Sequence, residues 1–322
     1  DRKNLPEPNM ELDTAIEYVA PTTEDQETMT QIWASKLGIE KVGINDNFFN
    51  LGGDSIEAIQ IISEAKQHGI NIDVKDIFEH KTIGHILENV DYTKAGIISS
   101  QDEIEGEVPF TPIQEWFMEQ DLEYMHFWNQ TNLFKLSDKV DLELLEKVFI
   151  EIIRHHDALR MTYSFDDGQR VQYNRKMEEI KFELPIIDLS NTPYPVQKKM
   201  LTEYCQELQN RLNLEEDLLI SPVVFDFGKQ GKRLFIGVHH LVIDGVSWRI
   251  LLEDFELLYQ SKLEGKLPLK TTSFKEWSNQ LLDHANEEIL DISYWEDIYL
   301  EKNEQTFDVT PDNNYLKDHK RV

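Results

Sequence analysis

At 322 residues the chain is long enough for two or more domains, and its 40% hydrophobic and 29% charged content suits globular folds exposed to water. A formal net charge of −29 argues against nucleic acid and acidic membrane surfaces as partners, since both need a basic face, and no apolar run is long enough to span a bilayer. Cys205 is the single cysteine, so no intrachain disulfide is possible and a reducing cytoplasm fits.

The chain opens on DRKNLPEPN, without an initiating Met or a signal-peptide pattern, and reads as a segment of something longer. Residues 1–20 are polar with a Leu-Pro-x-Pro stretch at Leu5–Pro8 and are assigned as a linker. Helical patterning begins near Thr23: Met29, Ile32, Trp33 and Leu37 form one apolar stripe, and Gly38 is a good stop. In Asp46–Ile62 (DNFFNLGGDSIEAIQII), Gly52-Gly53 breaks the chain and Asp54 can cap a helix beginning at Ser55. Ile56 and Ile59 are expected to face inward, and Gly69 to end that helix. Shorter helices are expected around Val74–Phe78 and Thr82–Val90. Residues 21–92 therefore read as a small all-α, four-helix bundle. Taken alone, Ser55 is a common kind of helix start.

Residues 93–108 are polar and aperiodic and read as a second linker. The next domain, residues 109–275, opens on FTPIQEWFM, an amphipathic first helix in which Trp116 and Phe117 would suit a core. Trp128–Leu136 has strand character. Asp141–Leu159 predicts a helix with Leu142, Leu145, Val148, Ile152 and Leu159 on one face. A hairpin with Gly168 at its turn follows, then a strand near Ile180–Ile187 and a helix from about Tyr194 to Leu212. Pro222–Phe227 and Arg233–Val238 flank the turn GKQG as a second hairpin. This mixture predicts an α/β layered domain. In residues 276–322, assigned to a lobe junction and beyond, Trp277, Leu281, Tyr294 and Trp295 are expected in the core, as is Phe274 just before.

The most chemically suggestive stretch is Val238–Trp248 (VHHLVIDGVSW). His239 and His240 end an apolar run, and Asp244 precedes a helical pattern opened by Gly245 and carried by Trp248, Leu251, Leu252 and Phe255. Strand ends that feed loops are common places for chemistry, because a rigid scaffold aims the side chain. Neighbours on a strand point to opposite faces, so at most one of the two histidines faces a given cavity. The alternative is a satisfied core histidine. His-His-x-x-x-Asp lacks the Glu and second His of the helical metalloprotease motif, and no metal is assigned.

These stretches carry a resemblance. HHLVIDG resembles the HHxxxDG signature of the condensation and epimerization domains of nonribosomal peptide synthetases, and VSWRIL resembles the epimerization branch. DNFFNLGGDS is similar to DxFFxLGGxS, the phosphopantetheine attachment site of peptidyl carrier proteins, at Asp46, Phe48, Phe49, Leu51, Gly52, Gly53 and Ser55. GGDSI resembles carriers that precede an epimerization domain, TPIQEWF the opening motif of such domains, and LPEP the end of an adenylation domain. The resemblance implies a carrier bundle followed by a chloramphenicol-acetyltransferase-like lobe. It implies 4′-phosphopantetheine on Ser55, where a helix N-terminus suits a phosphodiester. It implies an upstream adenylation domain, a downstream condensation domain and a phosphopantetheinyl transferase as partners. The expected reaction is inversion at Cα of a carrier-bound aminoacyl or peptidyl thioester.

Within that reading His240 is the proton-transfer residue, while His239 points away and orients the loop. His155–Arg160 (HHDALR) resembles the RHxxLR motif, whose arginine pairs in the family with the aspartate of HHxxxDG. Arg160 is thus expected to pair with Asp244; the alternative is a solvated helix end, where cations suit the dipole. No EGHGRE-like string occurs, so the glutamate opposing the histidine in the family is missing and the second lobe is expected to be truncated. A peptide-bond-forming condensation domain and a noncatalytic carrier or interaction fragment are the other two readings.

Overall fold

A computed structural model of the chain describes residues 18–92, 99–120, 122–165, 169–216, 218–286 and 293. The chain divides into two compact units, Asp1–Ser278 and Asn279–Val322; the first holds every residue discussed below as part of a site. Among the expectations above, Gly168, Tyr294 and Trp295 lie outside the described residues.

The first half of that unit is a bundle of α1 (Glu24–Leu37), α2 (Ser55–Gln67), α3 (Val74–His80) and α4 (Ile83–Asn89). The Thr23 hydroxyl caps α1 by accepting from the Gln26 amide, and Gly38 ends the helix in the left-handed conformation at φ 65°. Asp54 accepts from the Ile56 amide at 2.6 Å, and the Glu57 carboxylate accepts from the Asp54 amide at 3.2 Å, a reciprocal box that fixes where α2 begins. Met29, Trp33, Phe48, Ile61, Ile77 and Ile86 are fully buried between the helices. The Trp33 and Phe48 rings meet edge to face at 5.1 Å. The paired glycines before α2 have separate causes. Gly52 adopts φ +91°, whereas a Cβ on Gly53 would run into the Phe48 ring. The inward face of α2 differs from expectation: Ala58, Ile61, Ile62 and Ala65 fill the core, while Ile59 is exposed. Two isoleucines three apart do not fix the helical phase when Ala58 occupies the position facing the core.

The second half carries two sheets. β1 (Gly106–Val108), β4 (Val171–Asn174) and β3 (Met161–Ser164) form an antiparallel sheet in that order. β2 (Asn129–Lys135), β7 (Lys232–His239), β6 (Ile220–Asp226) and β5 (Ile186–Asp188) form the larger one, with only the β5–β6 pair parallel. Leu234, Ile236 and Val238 alternate along β7 onto a core shared with α6 (Leu142–His155) and α8 (Gly245–Gln260). Phe235, with Val223 and Phe225 of β6, packs on the other face against Leu208 of α7 (Tyr194–Arg211). The sheet is therefore covered on both faces by helices, the α/β layering expected. Each such side chain, fully buried, contributes roughly 1.5–3 kcal/mol.

Two boundaries and the burial of two tryptophans differ from the pattern reading. α6 stops at His155 and Leu159 lies in a separate 3-10 turn, Asp157–Arg160. The strand expected near Ile180 is confined to Ile186–Asp188. In α5 (Pro112–Glu119) Phe117 is buried but Trp116 is 55% exposed. Trp277, at 49% exposure on α9 (Phe274–Asn286), is likewise not a core residue. An aromatic at helical spacing marks a face, not what covers it.

Candidate active site

β7 ends on the first of the two histidines, and the strand alternation separates them. His239 is fully buried and pairs across the ladder with Asn129 of β2. Its Nε2 lies 2.9 Å from the Met125 carbonyl, which can only accept, and its Nδ1 accepts from the Leu241 amide at 3.2 Å. Both contacts describe one neutral tautomer. Burial pushes the His239 imidazole down to about 4, although the Met125 carbonyl favours the charged form. This histidine joins the end of the strand to the loop that follows.

His240 turns the other way and is exposed. Its amide donates to the Trp128 carbonyl at 2.7 Å, which carries the β2–β7 ladder one step past its end. Its Nδ1 lies 2.9 Å from the Ile243 carbonyl and its Nε2 3.0 Å from the side-chain nitrogen of Gln130. His240 borders a cavity of about 580 Å³ shared with Trp116, Phe117, Trp128, Asp244 and Ser247. An apolar pocket with one convergent imidazole is a setting in which a proton can be moved to or from a bound group.

Asp244 closes the loop. Its Oδ1 accepts from both the amide and the hydroxyl of Ser247 at 2.7 Å, capping α8. Burial pushes this carboxyl up, but the Ser247 amide and hydroxyl outweigh it and hold the group below the usual carboxylate range.

The expected pairing of Arg160 with Asp244 is not what the structure shows. Arg160 is fully buried and its donors are otherwise engaged. Nε donates to the Arg175 carbonyl at 3.1 Å, one terminal nitrogen to the carbonyls of Ile153 and Arg154 at 2.7 Å each, and the other to the Ile104 carbonyl at 3.2 Å and to Asp157 Oδ1 at 2.6 Å. Asp157 sits three residues away on the same 3-10 turn and also meets Lys270 at 3.1 Å. The five N–H donors of the guanidinium are thereby used. The alternative reading was nearer: Arg160 serves the carbonyls at the end of α6, but from a buried position.

Two residues of the site went unrecognised in the sequence. Gln130 is one polar residue among Asn129, Thr131 and Asn132 on β2, and Trp248 read only as part of an apolar helix face. Their link to His240 depends on strand register, which no local pattern encodes. In the carrier, Ser55 is exposed at the first position of α2, beside the glycine turn. Arg249 of α8 reaches Glu57 of α2 at 3.3 Å, and Gln60 donates to Glu253 at 2.9 Å, so α2 lies along α8. Among the described residues no group of three or more His, Cys, Asp or Glu side chains is placed to hold a metal, and no helix is long and apolar enough to cross a membrane.

A buried histidine beside an outward one at a strand end, in a layered lobe that follows a four-helix carrier bundle, is the arrangement of a carrier plus condensation-type enzyme segment. Residues 104–321 match the condensation domain family, to which the chain belongs, and residues 27–90 match the phosphopantetheine attachment site family. Gramicidin S synthase 1 of Brevibacillus brevis is 41% identical over 300 residues, covering 92% of this chain and 27% of that protein. Surfactin synthase subunit 1 of Bacillus subtilis is 40% identical, covering 92% of this chain and 8% of its own length. The chain thus spans between 8% and 27% of the length of these relatives. Among solved structures, the epimerization domain from the third module of tyrocidine synthetase B is 38% identical with a TM-score of 0.59, covering 65% of this chain and 48% of that domain. The starter condensation domain of rhizomide synthetase shares the fold, with a TM-score of 0.52 at 15% identity over 62% of this chain and 49% of that one. The chain is a nonribosomal peptide synthetase carrier followed by a condensation/epimerization-type lobe.

Proposed function

We propose that Ser55 carries 4′-phosphopantetheine and that the lobe takes part in inverting Cα of the amino acid or peptide held there, L to D. The observation that carries this reading is His240, the one histidine of the pair that faces the cavity, in a lobe whose likeness to an epimerization domain is 38% identical. The exposed Ser55 hydroxyl at the positive end of α2, next to an open glycine turn, fits a phosphodiester. Bound there, 4′-phosphopantetheine supplies a thioester whose carbonyl acidifies the adjacent Cα proton. His240 takes or returns that proton through Nε2 while the Ile243 carbonyl holds Nδ1. Trp116, Phe117 and Trp128 line the cavity beside it. Asp244 fixes the loop. An adenylation domain, a downstream condensation domain and a phosphopantetheinyl transferase are the partners this role requires.

The test is exchange of the Cα proton with deuterated solvent on the loaded carrier, in a protein that includes the remainder of the lobe's domain. Exchange that depends on His240 supports the proposal; amide formation with a second loaded carrier, without exchange, would replace it by condensation. That second reading is favoured by one observation, the match of residues 104–321 to the condensation domain family.

A further inference from the structure

Three side chains in series end on His240, and the chemical type of each end is unambiguous. The Trp248 indole Nε1–H can only donate, and it lies 2.8 Å from the side-chain oxygen of Gln130. The amide must therefore present its NH2 to the other side, where His240 Nε2 lies at 3.0 Å. An amide nitrogen can only donate, so Nε2 must accept and carries no proton. At the far edge of the ring Nδ1 faces the Ile243 carbonyl at 2.9 Å, which can only accept, so Nδ1 carries the proton. The two edges are constrained independently, by a strand side chain and by a loop carbonyl, and they specify the same tautomer.

We propose that Gln130 and Trp248 are positioning residues that fix His240 as the Nδ1–H tautomer, with the Nε2 lone pair covered by the Gln130 amide until a substrate takes its place. This deepens the proposed role of His240 and rests on it for its catalytic meaning. An imidazole nitrogen has one lone pair in the ring plane, so Nε2 cannot accept a Cα proton while it accepts from Gln130. The relay also explains why a tryptophan stands on the first turn of α8 where any large apolar residue would fill the space: only an indole offers both the volume and a donor without acceptor capacity.

The experiment needs neither substrate nor activity. Histidine rings and glutamine side-chain amides of the intact chain are labelled with nitrogen-15, and the His240 signals are identified by their loss in His240→Asn. The expected wild-type pattern is one pyrrole-like nitrogen at Nδ1 and one pyridine-like nitrogen at Nε2, with a through-hydrogen-bond coupling between Nε2 and the Gln130 amide nitrogen. Trp248→Phe keeps the ring volume and removes the donor; the two tautomers should then average and the coupling should vanish. Gln130→Glu offers Nε2 only acceptors, so both ring nitrogens should become pyrrole-like. A wild-type Nε2–H tautomer overturns the proposal, as does an Nδ1–H tautomer that neither substitution moves, since the Ile243 carbonyl alone would then set it. If a variant fails to fold, presence or absence of the coupling in the wild-type chain decides. A correct tautomer together with unaffected Cα exchange in His240→Ala would leave the relay standing and remove the base role, so the two failures are told apart.

Discussion

The carrier and the lobe each place a chemically committed residue beside a helix capped by aspartate, yet they assemble their sites on different length scales. In the carrier, everything that presents Ser55 lies within ten residues: Phe48 closes against Gly53, Gly52 turns the chain, and Asp54 with Glu57 starts α2. In the lobe, His240 is held by Gln130 on β2, Trp248 on α8 and the Ile243 carbonyl of its own loop. A site built within one turn of chain survives as a readable string. A site built across a strand pairing is visible only once the register is known.

The largest effect that would sharpen this contrast is at Ser55. Ser55→Ala should accept no arm from a phosphopantetheinyl transferase and CoA, read as loss of the whole mass increment, while the bundle stays folded because Ser55 is exposed. Addition of the increment in Ser55→Ala would place the attachment elsewhere and break the local half of the comparison. For the distributed half, His240→Ala in a protein with the whole domain should slow Cα exchange by about 10²–10⁴-fold, the range for a positioned acid or base. Wild-type exchange would remove the histidine from the chemistry.

The same contrast explains what the sequence disclosed. The helix start at Ser55, the four helices, the layered lobe and the opposite orientation of His239 and His240 follow from caps, periodicity and strand alternation, all of which act within a few residues. Ile59, Trp116 and Trp277 were misplaced because apolar spacing says which residues share a face without saying what packs on it. The Arg160–Asp244 pair was misplaced for a related reason. A motif names two charged residues, but the pairing is decided by which carboxylate is closer in space, and Asp157 is on the same turn.

Arg160 sharpens that lesson by its energetics. Replacing it with Met removes the charge but leaves Asp157 and the carbonyls of Ile153, Arg154, Ile104 and Arg175 to find new partners. The expected cost is about 3–5 kcal/mol in a denaturant melt, as for one partner removed from a buried pair. Lys270, still on Asp157, keeps it from being larger. A loss under about 1 kcal/mol would mean that water replaces the guanidinium.

His239 gives a smaller effect that is specific to pH. Its folded-state value of about 4 lies below the 6.5 of an exposed imidazole. Between these values the unfolded chain binds a proton that the folded chain refuses, so stability is full above about pH 6.5 and falls as the pH drops towards 4. The loss over that window reaches roughly 3 kcal/mol. His239→Gln should flatten this part of the stability curve. An unchanged slope would assign the acid sensitivity to other groups.

The smallest expected effect is at Asp244, and it tests whether the two capped helices behave alike. Asp244→Ala removes the acceptor for the Ser247 amide and hydroxyl and should cost about 1 kcal/mol, the usual value of a lost N-cap; Asp244→Asn should recover most of it. Asp54→Ala should cost a similar amount in the carrier, where the same kind of cap starts α2. Because Asp244 and Arg160 have separate partners, their substitutions should add to within about 0.5 kcal/mol, and a double-mutant cycle reads this directly. A coupling well above that would restore the pairing the geometry excludes. The two caps should differ in consequence, since the Asp244 loop carries the Ile243 carbonyl that holds His240 Nδ1. Asp244→Ala should therefore also blur the His240 tautomer, whereas Asp54→Ala should leave it untouched.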